Sequence, residues 1–205
     1  MYRIQIKRSR RLFRNVWLVK KRTKRQKRLH RKIQRNTYRR RASEYFLKLR
    51  AKQYMSHFYG HINWKAIYRR VPGAPILAAF FHALETRLDV MLYRMKVSPN
   101  LSVIKQLISH KKVLVNDQVV SVRNFYVKPG DIISVQPQTA IALQKSLFQK
   151  QSKRYWRRRR SIRLYFNHKA PHLEVNFKTM SAVPCTKPRF VRLPYVDDYK
   201  TIRFF

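Results

Sequence analysis

Acidic residues are nearly missing from this chain of 205 residues: eight Asp and Glu stand against 49 Lys and Arg, a formal net charge of +41. A free chain so charged repels itself, and screening by salt weakens that repulsion without removing it. A polyanion supplies the missing charge, and nucleic acid adds the entropy of released counterions. Long apolar runs are lacking too. No stretch approaches the ~18 residues of a membrane span, so no membrane partner is expected. Cysteine is reduced to Cys185, which excludes an intrachain disulfide and a cysteine-built zinc site. The glycines are Gly60, Gly73 and Gly130 alone, and none belongs to a phosphate-cradling loop or a dinucleotide fingerprint. No metal and no other cofactor is expected. Aromatic residues, by contrast, make up 13% of the chain, too many for a purely disordered basic tail.

Charge is spread unevenly. Residues 1–41 hold 19 Lys and Arg, and the first acid is Glu44. Lys20 to Arg28 is almost unbroken positive charge, more than a solvated face or an address tag requires. An Arg-rich, acid-free start also resembles an organellar transit segment; with Met1 in place, the arm is expected to be retained. A second basic block, Lys153-Arg154-Tyr155-Trp156-Arg157-Arg158-Arg159-Arg160, interleaves cations with aromatic rings, which suits phosphate pairing and base stacking. His57 and His61 have the i,i+4 spacing of metal ligands. Gly60 lies between them and no third ligand is apparent, so a solvated or RNA-facing pair is expected.

From Ala42 to about Tyr68 the pattern is helical, with Ser43 as N-cap, Gly60 as the stop and a second short helix from about Ile62 to Arg70. Pro72-Gly73-Ala74-Pro75 breaks the chain, and an apolar run, Ile76 to Phe81, follows. Leu88, Met91, Leu92 and Met95 lie at i, i+3, i+4 and i+7, one apolar helix face. Ser98-Pro99 is expected to open the next helix, Ser as cap and Pro in the first turn. There Leu101, Ile104, Leu107 and Ile108 form a buried stripe, with Ser102, Lys105, Ser109 and Lys112 on the other side. Two β runs, Val113–Val115 and Val119–Val120, flank an Asn116-Asp117 turn. Pro129-Gly130 turns the chain into a strand from Ile132 to Val135.

Three blocks in order carry a resemblance. Glu85-Thr86-Arg87-Leu88-Asp89 through Tyr93-Arg94, then Gln106 to His110 with Val113 to Asn116, then Val127 to Val135, resemble the S-four RNA-binding domain. Ser43-Glu44-Tyr45, Leu49-Arg50, Lys52-Gln53 and Tyr59-Gly60 resemble the first helical domain of the small-subunit ribosomal proteins of the S-four family. His172 to Asn176 and Arg192-Leu193-Pro194 resemble their C-terminal strand region. Two departures stand out: the zinc-binding cysteines of some bacterial members are missing, and Lys200 to Phe205 does not match the family's usual tail.

The expected fold is α+β. A basic N-terminal arm (1–41) and a small helical domain (42–84) precede an S-four domain (85–136) of two helices packed on a small, mostly antiparallel sheet. A basic insertion (137–170) and a C-terminal strand region with its tail (171–205) follow. The resemblance implies a structural protein of the small ribosomal subunit, not an enzyme. It would bind ribosomal RNA at a junction of helices, aid early assembly and shape the side where messenger RNA enters. Its partners would be small-subunit ribosomal RNA, neighbouring small-subunit proteins and messenger RNA. The end block is most like plant and algal mitochondrial members, so a mitochondrial ribosome is expected, with a bacterial cytoplasm or a plastid as the alternative. An RNA-modifying enzyme or a free RNA-binding regulator carrying the same domain is the rival reading. An enzyme would need a domain of about 100 residues, and no unmatched segment is that long. By resemblance Arg87, Arg94, Lys105, Gln106, His110 and Asn116 would face RNA. The contact set is expected to extend to Arg39, Arg40, Arg41, Tyr45, Arg50, Lys52, Gln53 and Tyr59 in the first two segments. Ser102, Lys111, Lys112 and Lys128 would join it from the S-four domain, and Arg154, Arg157 and Arg158 from the insertion. Asp89 is read as structural, paired with a neighbouring base or backbone group.

Overall fold

The computed structural model describes residues 24–25, 27–28, 31–32, 43–70, 77–98, 100–144 and 170–188. They fall into two compact units, divided between Trp64 and Lys65.

In the first unit helix α1 spans Glu44–Phe58. Ser43 starts it, its hydroxyl accepting the Phe46 amide hydrogen bond at 3.2 Å, as an N-cap should. Glu44 in the first turn meets Lys48 one turn on at 2.7 Å. Ala51, Tyr54, Met55 and Phe58 recur at i, i+3, i+4 and i+7 and are the buried face, the spacing that keeps side chains on one side of a helix. Lys24, Arg25, Lys27, Arg28, Arg31 and Lys32 of the basic arm are also helical and exposed, where no element was expected.

The second unit holds most of α2 (Trp64–Arg70), then α3 (Leu77–Glu85), α4 (Leu88–Arg94) and α5 (Leu101–Ser109). Five short strands follow: β1 (Val113–Val115), β2 (Gln118–Val119), β3 (Ile133–Val135), β4 (Leu173–Asn176) and β5 (Ser181–Pro184). They form one antiparallel sheet in the order β2-β1-β3-β5-β4. The C-terminal strands are therefore not a separate region: β5 lies directly beside β3. Val113, Val115, Ile133, Val135, Leu173 and Ala182 turn to one side and pack with Leu88, Met91, Leu92, Ile104 and Ile108 as a single core. Each such large side chain contributes roughly 1.5–3 kcal/mol by leaving water. Residues 137–144 are helical after β3, with Ala140 reaching the same core.

Two expected details shift. Asn100, not Ser98, caps α5, its side-chain oxygen accepting the Ser102 amide at 3.1 Å. Asn is as good a cap as Ser, and the Ser98 hydroxyl instead accepts the Asn100 amide at 3.3 Å. Strand β2 begins one residue earlier than read, because Asn116 (φ 50°) and Asp117 (φ 62°) alone make the turn. Both in the left-handed region is the type I′ hairpin turn, which Asn and Asp tolerate.

Candidate nucleic-acid interface

Four charged side chains join α3 to α4 out of reach of solvent. Arg94 donates through Nε to Glu85 Oε2 at 2.8 Å and through Nη2 to Oε1 at 2.6 Å. Arg87 donates to both oxygens of Asp89, at 3.2 and 2.9 Å, and to the Asn124 side-chain oxygen at 2.9 Å. All four charged residues are buried. Burial pushes the Asp89 carboxyl up, and the nearby charges of Arg87 and Lys105 pull it back down. The structural reading of Asp89 holds, and its partner is Arg87. The expectation that Arg87 and Arg94 face RNA is corrected, since both are buried. Both guanidiniums neutralise internal carboxylates, the arrangement that makes a buried charge tolerable. Tyr59 is corrected likewise: it is fully buried at the end of α1.

The outward side of α5 carries cations, of which Lys105 lies near enough to Asp89 for the two charges to interact. Leu101, Ile104 and Ile108 face the core, Leu107 packs against it, and Ser102, Gln106 and Ser109 are exposed. Lys105 is half-buried on the same outer side. His110 and Lys111 are exposed and Lys112 half-buried just beyond the last turn. The chain leaves the helix through a Schellman motif, the Lys111 amide bonding the Ile108 carbonyl at 2.9 Å and the Lys112 amide that of Leu107 at 3.0 Å. This motif needs one left-handed residue, and Lys111 provides it at φ 57°. Helix α4 ends in the same way with Lys96 at φ 68°, and α1 with Gly60 at φ 78°. In a chain poor in glycine, two of these three ends are therefore lysines. Cations there also suit the negative end of the helix dipole.

The hairpin turn is tied to the next one. The Asn116 side chain donates to Asp131 Oδ1 at 3.0 Å and accepts from the Ile132 amide at 2.8 Å, while Asp131 Oδ2 accepts the Lys128 amide at 2.7 Å. Asn116 is exposed, but its amide is committed to this latch, so its part is structural before it is a contact. Lys128 keeps its side chain exposed. Gly130, at φ 94°, completes the turn, its amide bonding the Pro184 carbonyl at 2.9 Å. Arg123, exposed beside Asn124 in the loop after β2, belongs with these cations and was missed. A lone Arg in a loop carries no periodic signal.

In the first unit, Tyr45 is 70% exposed and Gln53 is exposed. The Arg50 guanidinium bonds the Tyr54 hydroxyl and lies 5.4 Å from that ring's centroid. The Lys52 ammonium is 5.9 Å from the Trp64 ring. His57 and His61 stack edge to face at 4.5 Å, and no metal-binding cluster of His, Cys, Asp or Glu occurs among the described residues. Arg39, Arg40, Arg41, Arg154, Arg157 and Arg158 lie outside the described residues.

Known proteins are similar to this chain. The S4 domain family matches residues 86–133, from the Arg87–Asp89 pair through β3. A protein of Marchantia polymorpha called small ribosomal subunit protein uS4m is 31% identical over 200 residues, covering 97% of each chain. The chain belongs to the uS4 family. Small ribosomal subunit protein uS4c of Gracilaria tenuistipitata var. liui is 34% identical over 148 residues, 70% of this chain and 67% of that one. The uS4 protein of Brevibacillus brevis is 37% identical over 102 residues, 47% of this chain and 51% of its own. The α5 face and the latch around Asn116 both lie within the S4-matched part of this uS4-family chain.

Proposed function

We propose that this chain is a structural protein of a mitochondrial small ribosomal subunit and that it binds small-subunit ribosomal RNA through the outer side of α5. The observation that carries the RNA contact is the sorting of charge around α3, α4 and α5. Acids are buried in internal pairs, while Gln106, His110 and Lys111 are exposed and Lys105 and Lys112 half-buried. Lysines pair with phosphate, and Gln and His side chains reach 2′-hydroxyls and splayed bases. Lys128 and Arg123 widen this surface, and the arm and insertion add general phosphate contacts. The mitochondrial assignment rests on the Marchantia protein named uS4m, which covers 97% of each chain. Early binding at a helix junction, contact with neighbouring small-subunit proteins and a place near incoming messenger RNA complete the proposal.

The test is sedimentation of the full chain with purified mitochondrial small subunits, followed by ultraviolet cross-linking to RNA. Co-sedimentation with cross-links mapping to α5 is expected. A chain left in the soluble fraction would identify a free regulator or an enzyme instead, and cross-links that avoid α5 would move the RNA contact elsewhere.

A further inference from the structure

The sheet has a second side whose chemistry is opposite to that of α5. None of the five strands contains a Lys or Arg, in a chain where 49 of 205 residues are basic. An antiparallel sheet that faces water on one side normally alternates apolar-in with polar-out. Ser134, Ser181 and Asn176 follow that rule on the side turned away from the core, but Leu114 and Val119, which pair with each other, and Val183, which pairs with Glu174, depart from it on the same side. Ile132 lies next to Asn116 at the start of β3 on that same side. Val119 and Ile132 are each 51% exposed. Half-buried Leu114 lies between them and half-buried Val183 beyond Ile132, so the four form a diagonal band rather than isolated exposed aliphatics.

Acids stand at both ends of this band. Glu44, Glu85 and Asp89 pair with Lys or Arg, whereas Asp117, Asp131 and Glu174 have no cationic partner among the described residues. Asp117 sits in the β1–β2 turn, Asp131 is bonded to Asn116 beside it, and Glu174 stands across β5 on β4. Carboxylates repel phosphate, and branched aliphatic side chains offer bases nothing flat to stack on.

We propose that the outer face of the sheet, around Leu114, Val119, Ile132 and Val183 with Asp117 and Glu174 at its rim, docks a basic polypeptide segment of another small-subunit protein. The apolar band, with Ser134 and Ser181 beside it, buries aliphatic side chains, and the carboxylates at its ends select Lys and Arg around them, the division of labour between the centre and edge of a protein interface. The α5 side and the sheet side would then separate RNA from protein on one domain. This inference rests on the reading of the chain as a small-subunit component.

Photo-reactive benzoylphenylalanine, placed at position 119 or 183 of the full chain and at position 106 as control, tests it in isolated small subunits. Positions 119 and 183 are expected to give protease-sensitive adducts with another protein, and position 106 nuclease-sensitive adducts with RNA. Asp117→Lys with Glu174→Lys should lower the protein adduct at position 119 by at least about threefold, the scale of exposed ion pairs, and leave the RNA adduct at 106 unchanged. Adducts of 119 and 183 with RNA, with this chain itself or with nothing, while 106 still reaches RNA, would overturn the proposal. Equal yields from the charge-reversed chain would overturn a basic partner. Absence of the chain from small subunits would defeat the proposed function as well.

Discussion

Lys111 sits where helices usually place glycine. Its left-handed backbone (φ 57°) crowds Cβ against the following carbonyl, a cost of roughly 1–2 kcal/mol for a residue other than glycine. Glycine would relieve that crowding but lose more entropy on folding. Lys111→Gly is therefore expected to stabilise the free chain by about 0.5–1 kcal/mol in urea unfolding, yet to weaken binding to the cognate RNA severalfold. Unaltered RNA affinity in this variant would mean that the lysine makes no RNA contact. Arg87 and Arg94 are expected to behave in the opposite way. Removing one partner of a buried pair leaves a stranded charge, so Arg94→Ala should cost about 3–5 kcal/mol. Arg94→Lys keeps the charge but loses the two-pronged geometry held by Glu85, and should cost roughly 1–3 kcal/mol. Affinity per folded molecule should stay within about twofold of the parent, since neither guanidinium reaches the surface; for comparison, 1.4 kcal/mol is tenfold. A large affinity loss without loss of stability would return these arginines to the RNA face.

At the scale of elements, His172 lies just before β4 and is buried with neither ring nitrogen hydrogen-bonded. Burial holds its pKa below the usual histidine value, Glu85 opposes that shift, and Arg94 adds to it. Burial, together with Lys187, shifts His82 on α3 the same way. A histidine whose folded pKa is depressed binds its proton more readily when unfolded. Its stabilising effect is thus fully present above about pH 6.5 and lost as pH falls through the folded pKa. Each such group contributes a slope of at most about 1.4 kcal/mol per pH unit. Unfolding midpoints measured from pH 7.5 to 5 should fall accordingly, and His172→Gln should flatten the curve in part, leaving the share of His82. An unaltered curve in that variant would show that His172 does not titrate with unfolding. Nothing local in the sequence marked this histidine, because its surroundings come from residues some eighty positions earlier. The apolar stripes of α4 and α5, by contrast, were legible, since a repeat near 3.6 has one structural meaning. The resemblance misled for the arginines. Arg87 is extended at φ −71°, ψ 138° ahead of α4, which begins at Leu88. Their partners also depend on tertiary fit, which no spacing encodes. Strand β5 went unread for a related reason: Ser181-Ala182-Val183-Pro184 is short and ends in proline, and only pairing with β3 and β4 gives it an identity.

For the whole molecule, the governing quantity is a charge of +41 whose few opposing acids are partly hidden inside. Glu85 and Asp89 pair with arginines in the core, so beyond the interaction of Asp89 with Lys105 they offset little of the positive potential above α5. Binding to RNA should therefore be steeply salt-dependent. Six to ten neutralised phosphates would lose roughly 10³–10⁵ in affinity between 50 and 200 mM salt, and near-constant affinity across that range in filter binding would contradict the electrostatic account. Salt dependence also apportions the contact, because each phosphate-bound cation adds about 0.7–0.9 to the slope of log K against log salt. Changing Lys105, Lys111 and Lys112 together to Gln should lower that slope by about 2–3 if all three meet phosphate. The same number of changes among Lys24, Arg28 and Lys32 of the arm's exposed helix should lower it similarly. The two sets are expected to differ in what else they alter. Cations on a shaped surface beside Gln106 and His110 also fix the register of the RNA, so the α5 set should erode the preference for cognate over unrelated duplex RNA, whereas the arm set should weaken both equally. If the α5 set leaves both slope and preference unchanged, its lysines are solvated, and the RNA-facing side of this domain must be sought around Arg123 and Lys128 instead.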